Sequence, residues 1–183
     1  MSQSLHGKTA IVTGSSRGIG RAIAEGLAAR GAAVVVNYVG NRKAADEVVA
    51  GIIGKGGKAL ALQADISSVS DIRSLFDQTE SELGAIDIVV ANVGVAVIKP
   101  LTEATEADFD LVFGTNAKGT FFTLQEAARR VRDGGRIIAV STGGTKMFFT
   151  QTALYLGSKG AVEQFIRVLS RELGPRGVTV NAL

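Results

Sequence analysis

Cysteine is absent from this 183-residue chain, which has only two prolines and one histidine. Without cysteine, the chain can form neither a disulfide nor a thiolate metal site. The single histidine, His6, precedes the first predicted strand, so we expect a solvated side chain and no metal site. The net charge is +3, with no block of basic residues. This charge pattern gives little reason to expect a nucleic-acid partner.

Long apolar runs are also missing from the start of the chain. Residues 1–8 contain no segment with the length of a signal peptide or membrane span, so we expect a cytoplasmic protein without a membrane anchor. What the chain does have is 46% hydrophobic residues and 23 glycines that form no repeat. This length and composition predict one globular domain over residues 1–183.

A glycine-rich stretch follows the first apolar run. Thr9–Val12 predicts a short buried strand, and Ile19, Ile23 and Leu27 recur at helical spacing just after it. The first turn of a helix has unpaired N–H groups and the positive end of the dipole, so this junction favours a diphosphate. For these residues alone, an ordinary glycine-rich turn is the alternative. The junction residues are Gly14, Ser16, Arg17, Gly18, Ile19 and Gly20.

Predicted strands and helices alternate through the rest of the chain. This order predicts an α/β fold, with a parallel sheet covered by helices on both faces. Right-handed crossovers and the glycine-rich first turn favour the doubly wound (Rossmann) order over a barrel. The predicted strands are 9–12, 33–37, 59–63, 86–91, 136–141 and 178–183. The predicted helices after the first are 43–53, 70–83, 108–131 and 153–173, with Ser70 as a cap.

Residues suited to ligand binding follow the ends of several predicted strands. Ligands of doubly wound sheets bind at the carboxyl ends of the strands, and core packing alone does not predict such a cluster. The residues in question are Gly14, Asn37, Asp65, Asn92 and Thr142.

Tyr155 and Lys159 lie one helical turn apart on one face of the last predicted helix. A free phenol has a pKa of about 10, and a nearby positive charge favours the phenolate. Such a phenol can protonate a carbonyl oxygen while hydride reaches the carbon, or catalyse the reverse. A surface contact is the alternative, and for two residues taken alone it is the more common one.

Together these motifs resemble the short-chain dehydrogenase/reductase family, and the resemblance covers nearly the whole chain. The most specific parts are the glycine-rich turn and the Tyr155–Lys159 pair. The matching elements, in family order, are residues 13–20, Asp65, Asn92-Val93-Gly94, Asn116, Ser141-Thr142, Tyr155 and Lys159.

The resemblance implies a role for each matched residue. Tyr155 would be the general acid for carbonyl reduction, and Lys159 would hold the nicotinamide ribose and favour the phenolate. Asn116 would shape a kinked helix and position a water in a proton relay. Thr142 would supply the hydroxyl that holds the substrate oxygen. The remaining cofactor contacts would be Asp65 and Ile66 beside the adenine, Asn92, Val93 and Gly94 along the groove, and Ser141.

The chain departs from the family pattern at several points. Thr142 stands where the family has its catalytic serine, Val93 replaces an alanine, and Gly157 replaces another. Family members also continue beyond Leu183 with a substrate-covering loop, a helix and a seventh strand. We therefore expect a chain that is cut short after its sixth strand.

The end of the second strand bears on the choice of cofactor. An acidic residue there would bind the ribose and repel a 2′-phosphate, whereas this chain has Asn37. Arg17 and Arg42 can bind a phosphate through charge-assisted hydrogen bonds. We therefore expect NADP(H) in preference to NAD(H), with Tyr38 and Asn41 among the contacts.

The substrate is less well defined by the sequence. Apolar residues in 95–98 and 146–151 favour a hydrophobic ketone, and the chain resembles 3-oxoacyl-carrier-protein reductases and related keto reductases. A sugar or polyol dehydrogenase of the same family is an alternative, as is a non-catalytic nucleotide-sensing or scaffold domain. Relatives form dimers and tetramers, so we expect a homo-oligomer. The apolar residues compatible with such contacts are Phe121, Phe122, Leu124, Phe165 and Leu169.

Overall fold

The computed structural model describes residues 5–183 and contains one six-stranded parallel sheet in the order β3-β2-β1-β4-β5-β6. The strands are β1 (Thr9–Val12), β2 (Ala33–Tyr38), β3 (Lys58–Gln63), β4 (Ile88–Ala91), β5 (Arg136–Ala139) and β6 (Thr179–Ala182). The helices are α1 (Gly18–Ala29), α2 (Arg42–Ile53), α3 (Val69–Leu83), α4 (Glu106–Phe113), α5 (Thr120–Arg130) and α6 (Ala153–Glu172). The predicted doubly wound architecture is confirmed.

Both faces of the sheet are buried. Successive strand residues point to opposite faces, so Ile11 of β1 joins one hydrophobic cluster while Ala10 and Val12 join the other. The first cluster includes apolar residues of α3, α5 and α6, and the second includes those of α1 and α2. This burial accounts for the near-continuous apolar runs of the strands.

The packing face of α1 differs from the predicted stripe. Its buried residues are Gly20, Ala24 and Ala28, which lie four apart and are small enough to bring the helix close to the sheet. Ile23 packs only at the edge of this face, and Ile19 is 66% exposed. The mismatch arises because small residues, rather than large ones, form the contact with the sheet.

The predicted single helix over 108–131 is interrupted in the structure. It begins earlier, in α4, and a π-helical segment at Gly114–Gly119 separates α4 from α5. Asn116 lies in this segment, fully buried. Single π-turns within α-helices are frequent at functional sites.

Smaller differences occur at element ends. The side chain of Ser68, not Ser70, caps α3 by accepting the Asp71 backbone N–H. The β5 strand ends at Ala139, two residues before the predicted end. The prediction for residues 1–8 falls partly on 1–4, which lie outside the described residues. Within 5–183, no helix combines the length and apolar composition that crossing a bilayer requires.

Candidate active site

A groove of about 550 Å³ runs over the carboxyl ends of β1, β2 and β4. Most of the cofactor-binding residues predicted from the sequence line it. They are Gly14, Ser16, Arg17, Gly18, Ile19, Gly20, Tyr38, Asn41, Asp65, Ile66, Asn92, Val93 and Gly94. Five further lining residues were not predicted as cofactor contacts, although Val95 belongs to a stretch predicted to border the substrate. They are Val39, Gly40, Ala44, Val95 and Thr115. The types of these residues do not themselves suggest ligand binding. Only their closeness in sequence to predicted groove residues could have indicated that they line the groove.

The glycine turn leaves the start of α1 open to this groove. No side chain caps the helix at Arg17, and its first turn contains no acidic residue. A Cβ at position 20 would lie 2.5 Å from the Gly14 carbonyl oxygen and 2.6 Å from Asn92 Nδ2, so only glycine fits there. Gly14 has a φ of 61°, which also favours glycine. Unpaired N–H groups beside a surface without side chains suit a diphosphate.

Two buried hydroxyls, which the sequence analysis missed, hold the turn in place. The Thr13 hydroxyl accepts the Asn92 backbone N–H at 2.9 Å, and Asn92 Nδ2 donates to the Thr13 carbonyl at 2.9 Å. The Ser15 hydroxyl donates to the Val12 carbonyl at 2.6 Å. A hydroxyl directly after a buried apolar strand is the signal that could have revealed them.

The structure corrects the prediction that Asn37 contacts the cofactor. The Asn37 side chain is fully buried, and it does not line the groove. Its Oδ1 accepts the Gly14 backbone N–H at 2.9 Å, and its Nδ2 donates to the Ala64 carbonyl at 3.0 Å. The amide is therefore occupied in joining the glycine turn to β2 and to the residue after β3.

The two arginines predicted to bind a 2′-phosphate differ in their surroundings. Arg17 is exposed and lines the groove, and no carboxylate in residues 5–183 lies within ion-pair distance of it. Arg42 lies outside the lining and pairs with Asp46 at 3.4 Å, one turn along α2. Asn41 lines the groove, but its side chain caps α2 by accepting the Ala44 N–H at 3.0 Å. Arg17 is thus the better placed cation.

Lys159 is 2% exposed and extends from α6 toward the inner end of the groove. Its Nζ donates to the Val140 carbonyl at 2.7 Å and lies 6.0 Å from the centroid of the Tyr155 ring. A Cβ at Gly94 would lie 3.2 Å from Nζ, so this glycine gives the ammonium room. Burial lowers the pKa of Lys159. The phenol and the amine therefore share one face of α6. The amine lies next to Gly94 of the groove, but neither Tyr155 nor Lys159 is among the residues that line it.

Asn116 holds α6 against the segment that follows β4. Its Oδ1 accepts the Val95 N–H at 2.8 Å, and its Nδ2 donates to the Val95 carbonyl at 2.8 Å and to Ser158 Oγ at 3.0 Å. The Ser158 hydroxyl in turn donates to the Tyr155 carbonyl at 2.7 Å. The network links the π-helical segment to the backbone of Tyr155, and the sequence analysis had not identified Ser158 as part of it.

The hydroxyls of Thr142 and Ser141 have different hydrogen-bond partners. Thr142 Oγ1 accepts the Gly144 N–H at 3.1 Å, so its own proton remains available to another acceptor. Ser141 was predicted to contact the cofactor, but its hydroxyl donates to Glu163 Oε1 at 3.0 Å. Thr142 and Ser141 both lie outside the groove lining and line a separate cavity on the β6 side. The hydroxyl of Ser141 is therefore turned away from the groove.

Comparisons with known proteins bear on the family and the fold of the chain. The family described as short chain dehydrogenase matches residues 8–183. A hydroxynaphthalene reductase-like protein of Metarhizium majus is 47% identical over 182 residues, which are 99% of this chain and 68% of that protein.

Two solved structures share both the fold and a substantial part of the sequence. The angucycline C-6 ketoreductase LanV with bound NADP has a TM-score of 0.94 and 42% identity, covering 100% of this chain and 73% of its own. A short chain dehydrogenase from Burkholderia cenocepacia in complex with NADP has a TM-score of 0.93 and 39% identity, covering 97% of this chain and 73% of its own.

Proposed function

The chain belongs to the short-chain dehydrogenase family, and on that premise we propose that it is an NADPH-dependent keto reductase with Tyr155 as its general acid. The observation that carries this proposal is the buried Lys159 side chain, whose Nζ lies 6.0 Å from the centroid of the Tyr155 ring. The nearby groove includes the start of α1, which no side chain caps. A buried positive charge next to a phenol favours the phenolate that remains once the proton has been given up.

Tyr155 and Thr142 would act together on the substrate carbonyl oxygen, although neither lines the cofactor groove itself. Tyr155 would donate its phenolic proton to the substrate carbonyl oxygen, and Thr142, whose proton is available, would hold that oxygen by a hydrogen bond. Asn116 and Ser158 would keep the first turns of α6 in position through the backbone of Tyr155. General acid catalysis of this kind typically contributes about 10²–10⁴-fold to a rate.

The groove fits a nicotinamide dinucleotide. Its volume of about 550 Å³ lies within the usual range for ligand sites, and close approach is possible at Gly14 and Gly20 because neither has a side chain. When bound, the cofactor supplies hydride. The uncapped start of α1 would hold its diphosphate, and Arg17 would bind a 2′-phosphate. The bound NADP of similar structures supports the preference for NADP(H).

Apolar side chains favour a ketone with a hydrophobic body over a sugar or polyol. Phe148 is 97% exposed, and Met147 and Phe149 on the same loop are also exposed. A Lys99 N–H to Gln151 carbonyl hydrogen bond of 3.0 Å joins this loop to the segment after β4. The names of the hydroxynaphthalene reductase-like relative and the angucycline ketoreductase support a cyclic ketone. A 3-oxoacyl thioester is the second candidate, as the resemblance to carrier-protein reductases implies.

We also propose that the protein self-associates through α5 and α6. An apolar groove of about 400 Å³ lies between these helices, and the exposed rings and side chains there include Phe121 and Val168. Leu124, by contrast, is buried in the core of the subunit. A cytoplasmic location stays a prediction from the sequence.

The proposed function is tested by Tyr155→Phe together with a panel of hydrophobic and polar ketones. Loss of the hydroxyl should reduce ketone-dependent NADPH oxidation by about 10²–10⁴-fold. Binding of NADPH, measured by the enhancement of its fluorescence, should stay near that of the wild type. Full turnover by Tyr155→Phe would contradict the role of Tyr155. Binding of NADPH by the wild type without turnover of any ketone would support a nucleotide-sensing domain instead.

A further inference from the structure

Glu163 connects the segment that carries Thr142 to α6. Its Oε1 accepts the Ser141 hydroxyl at 3.0 Å and the Thr145 hydroxyl at 2.5 Å. Its Oε2 lies 3.6 Å from Lys146 Nζ. One carboxylate thus contacts three side chains of a single short segment, residues 141–146.

These contacts bracket Thr142 in the chain. Ser141 directly precedes it, and Thr145 lies one turn later in the 3₁₀-helical turn Gly143–Lys146. Thr145 Oγ1 also lies 3.0 Å from the Thr142 carbonyl, but its one proton serves one acceptor at a time, and the carboxylate is the nearer. The backbone on both sides of Thr142 is therefore held by the same residue.

Glu163 belongs to the helix that also presents the phenol and the amine. It follows Lys159 by one turn and Tyr155 by two turns, so the three project from the same side of α6. Its side chain is 16% exposed, whereas that of Lys146 is 70% exposed. The carboxylate thus sets the distance between the Thr142 segment and α6 from a semi-buried position.

We propose that Glu163 is a positioning residue that fixes the Thr142 hydroxyl relative to Tyr155 by holding Ser141 and Thr145. The inference rests on the proposed function, because it concerns two side chains of that site. Misplacing a reacting group by about 1 Å can cost on the order of 10²-fold in rate. Since Glu163 does not line the cofactor groove, its loss should leave cofactor binding unchanged.

A negative charge is favourable at Glu163 because Ser141 and Thr145 both donate hydrogen bonds to it through their hydroxyls, and Lys146 is cationic. The hydrogen bond from Thr145 is the main cause that lowers the pKa of Glu163, with further contributions from Ser141 and Lys146 against an opposing effect of burial. A glutamine retains one oxygen acceptor at the same distance along the side chain, whereas alanine retains none. The two substitutions therefore separate positioning from charge.

The experiment compares Glu163→Ala and Glu163→Gln with the wild type in the ketone reductase assay. We expect Glu163→Ala to lower kcat by about 10–100-fold, with an unchanged Kd for NADPH. Glu163→Gln should recover most of that loss. Combining Glu163→Ala with Ser141→Ala and Thr145→Val should add little further loss, because all three remove the same contacts.

Glu47→Ala is the matched control, since Glu47 is an exposed glutamate on α2 that is not among the residues lining the groove. It should retain the wild-type kcat. An active wild type and an inactive Tyr155→Phe would support the proposed function. If Glu163→Ala then keeps the wild-type kcat and only melts at a lower temperature, the positioning role of Glu163 is wrong while the proposed function stands. A wild type without ketone turnover would instead reject the proposed function.

Discussion

The side-chain oxygen of Asn37 accepts the backbone N–H of Gly14 at 2.9 Å. The same amide donates through Nδ2 to the Ala64 carbonyl at 3.0 Å, and the whole side chain is buried. The Asn37 side chain therefore supports the glycine turn and does not line the groove. A side chain in this place must both accept and donate, which an amide can do and a carboxylate cannot.

Asn37→Asp should destabilise the protein without creating a preference for NADH. A carboxylate could still accept the Gly14 N–H, but it would face the Ala64 carbonyl oxygen with no proton to donate. A buried group left without a partner costs about 1–3 kcal/mol, and more when it is charged. Urea denaturation monitored by circular dichroism measures the loss, and the ratio of kcat/KM for NADPH and NADH measures the preference.

Val39→Asp is the matched substitution, two residues further on. Val39 is exposed and lines the groove, so an acidic residue there would repel a 2′-phosphate and could bind a ribose hydroxyl. We expect it to leave stability nearly unchanged and to move the preference toward NADH. A stable Asn37→Asp protein that prefers NADH would show that the amide faces the cofactor after all.

Arg17→Ala should weaken NADPH selectively. Arg17 lines the groove and has no carboxylate partner in the described part of the chain, so its charge is available to a phosphate. Loss of a charge-assisted hydrogen bond typically costs about 1.5–3 kcal/mol, which corresponds to roughly 10–150-fold in affinity. The Kd for NADPH should rise by this factor, and that for NADH should change little, in titrations followed by cofactor fluorescence.

Arg42→Ala serves as the control for charge. Arg42 pairs with Asp46 on the exposed face of α2 and is outside the groove lining. It has the same formal charge as Arg17, so a general electrostatic effect on the cofactor would appear in both variants. An equal loss of NADPH affinity in both would assign the effect to net charge and not to a contact made by Arg17.

The sequence predicted the sheet, the glycine turn and the Tyr155–Lys159 pair because each is set by local pattern: buried strands, glycine spacing and helical periodicity. It could not show that Asn37 is buried while Val39 faces the groove, since both follow the same apolar run. Nor could it find Glu163, because its partners Ser141 and Thr145 lie 22 and 18 residues earlier in the sequence and contact it only in the folded protein. Side-chain direction at strand ends is decided by tertiary packing.

Gly94→Ala should impair the reaction more than folding. A Cβ at this position would lie 3.2 Å from Lys159 Nζ, so the buried ammonium would have to shift. The required shift is a few tenths of an ångström, so we expect a lower kcat and weaker NADPH binding, each by up to about 10-fold. Gly26→Ala on α1, where a Cβ meets nothing within 4 Å, is the control. It should stabilise the helix by up to about 1 kcal/mol and leave kcat unchanged.

Asp87 directly precedes β4, at the amino ends of the strands, whereas the groove lies at their carboxyl ends. Its carboxylate accepts the Thr9 backbone N–H at 2.9 Å, Lys8 Nζ at 3.0 Å and the Arg132 guanidinium at 2.9 and 3.1 Å. Burial raises the pKa of Asp87, but these hydrogen bonds, chiefly that from Arg132, outweigh it and bring the pKa below the ordinary 3.8. The charged form is therefore favoured by folding.

A carboxyl whose pKa falls on folding contributes stability above its unfolded pKa and loses it as the pH falls through the folded pKa. Asp87→Asn should thus lower the free energy of unfolding by about 2 kcal/mol at pH 7, or the melting temperature by about 4–8 °C. The gap between variant and wild type should narrow below pH 4. Asp46→Asn, which removes only an exposed pair, should stay within about 0.5 kcal/mol of the wild type. If the difference in unfolding free energy between the wild type and Asp87→Asn is the same at pH 7 and pH 3, then packing, and not the charge, accounts for the contribution of Asp87 to stability.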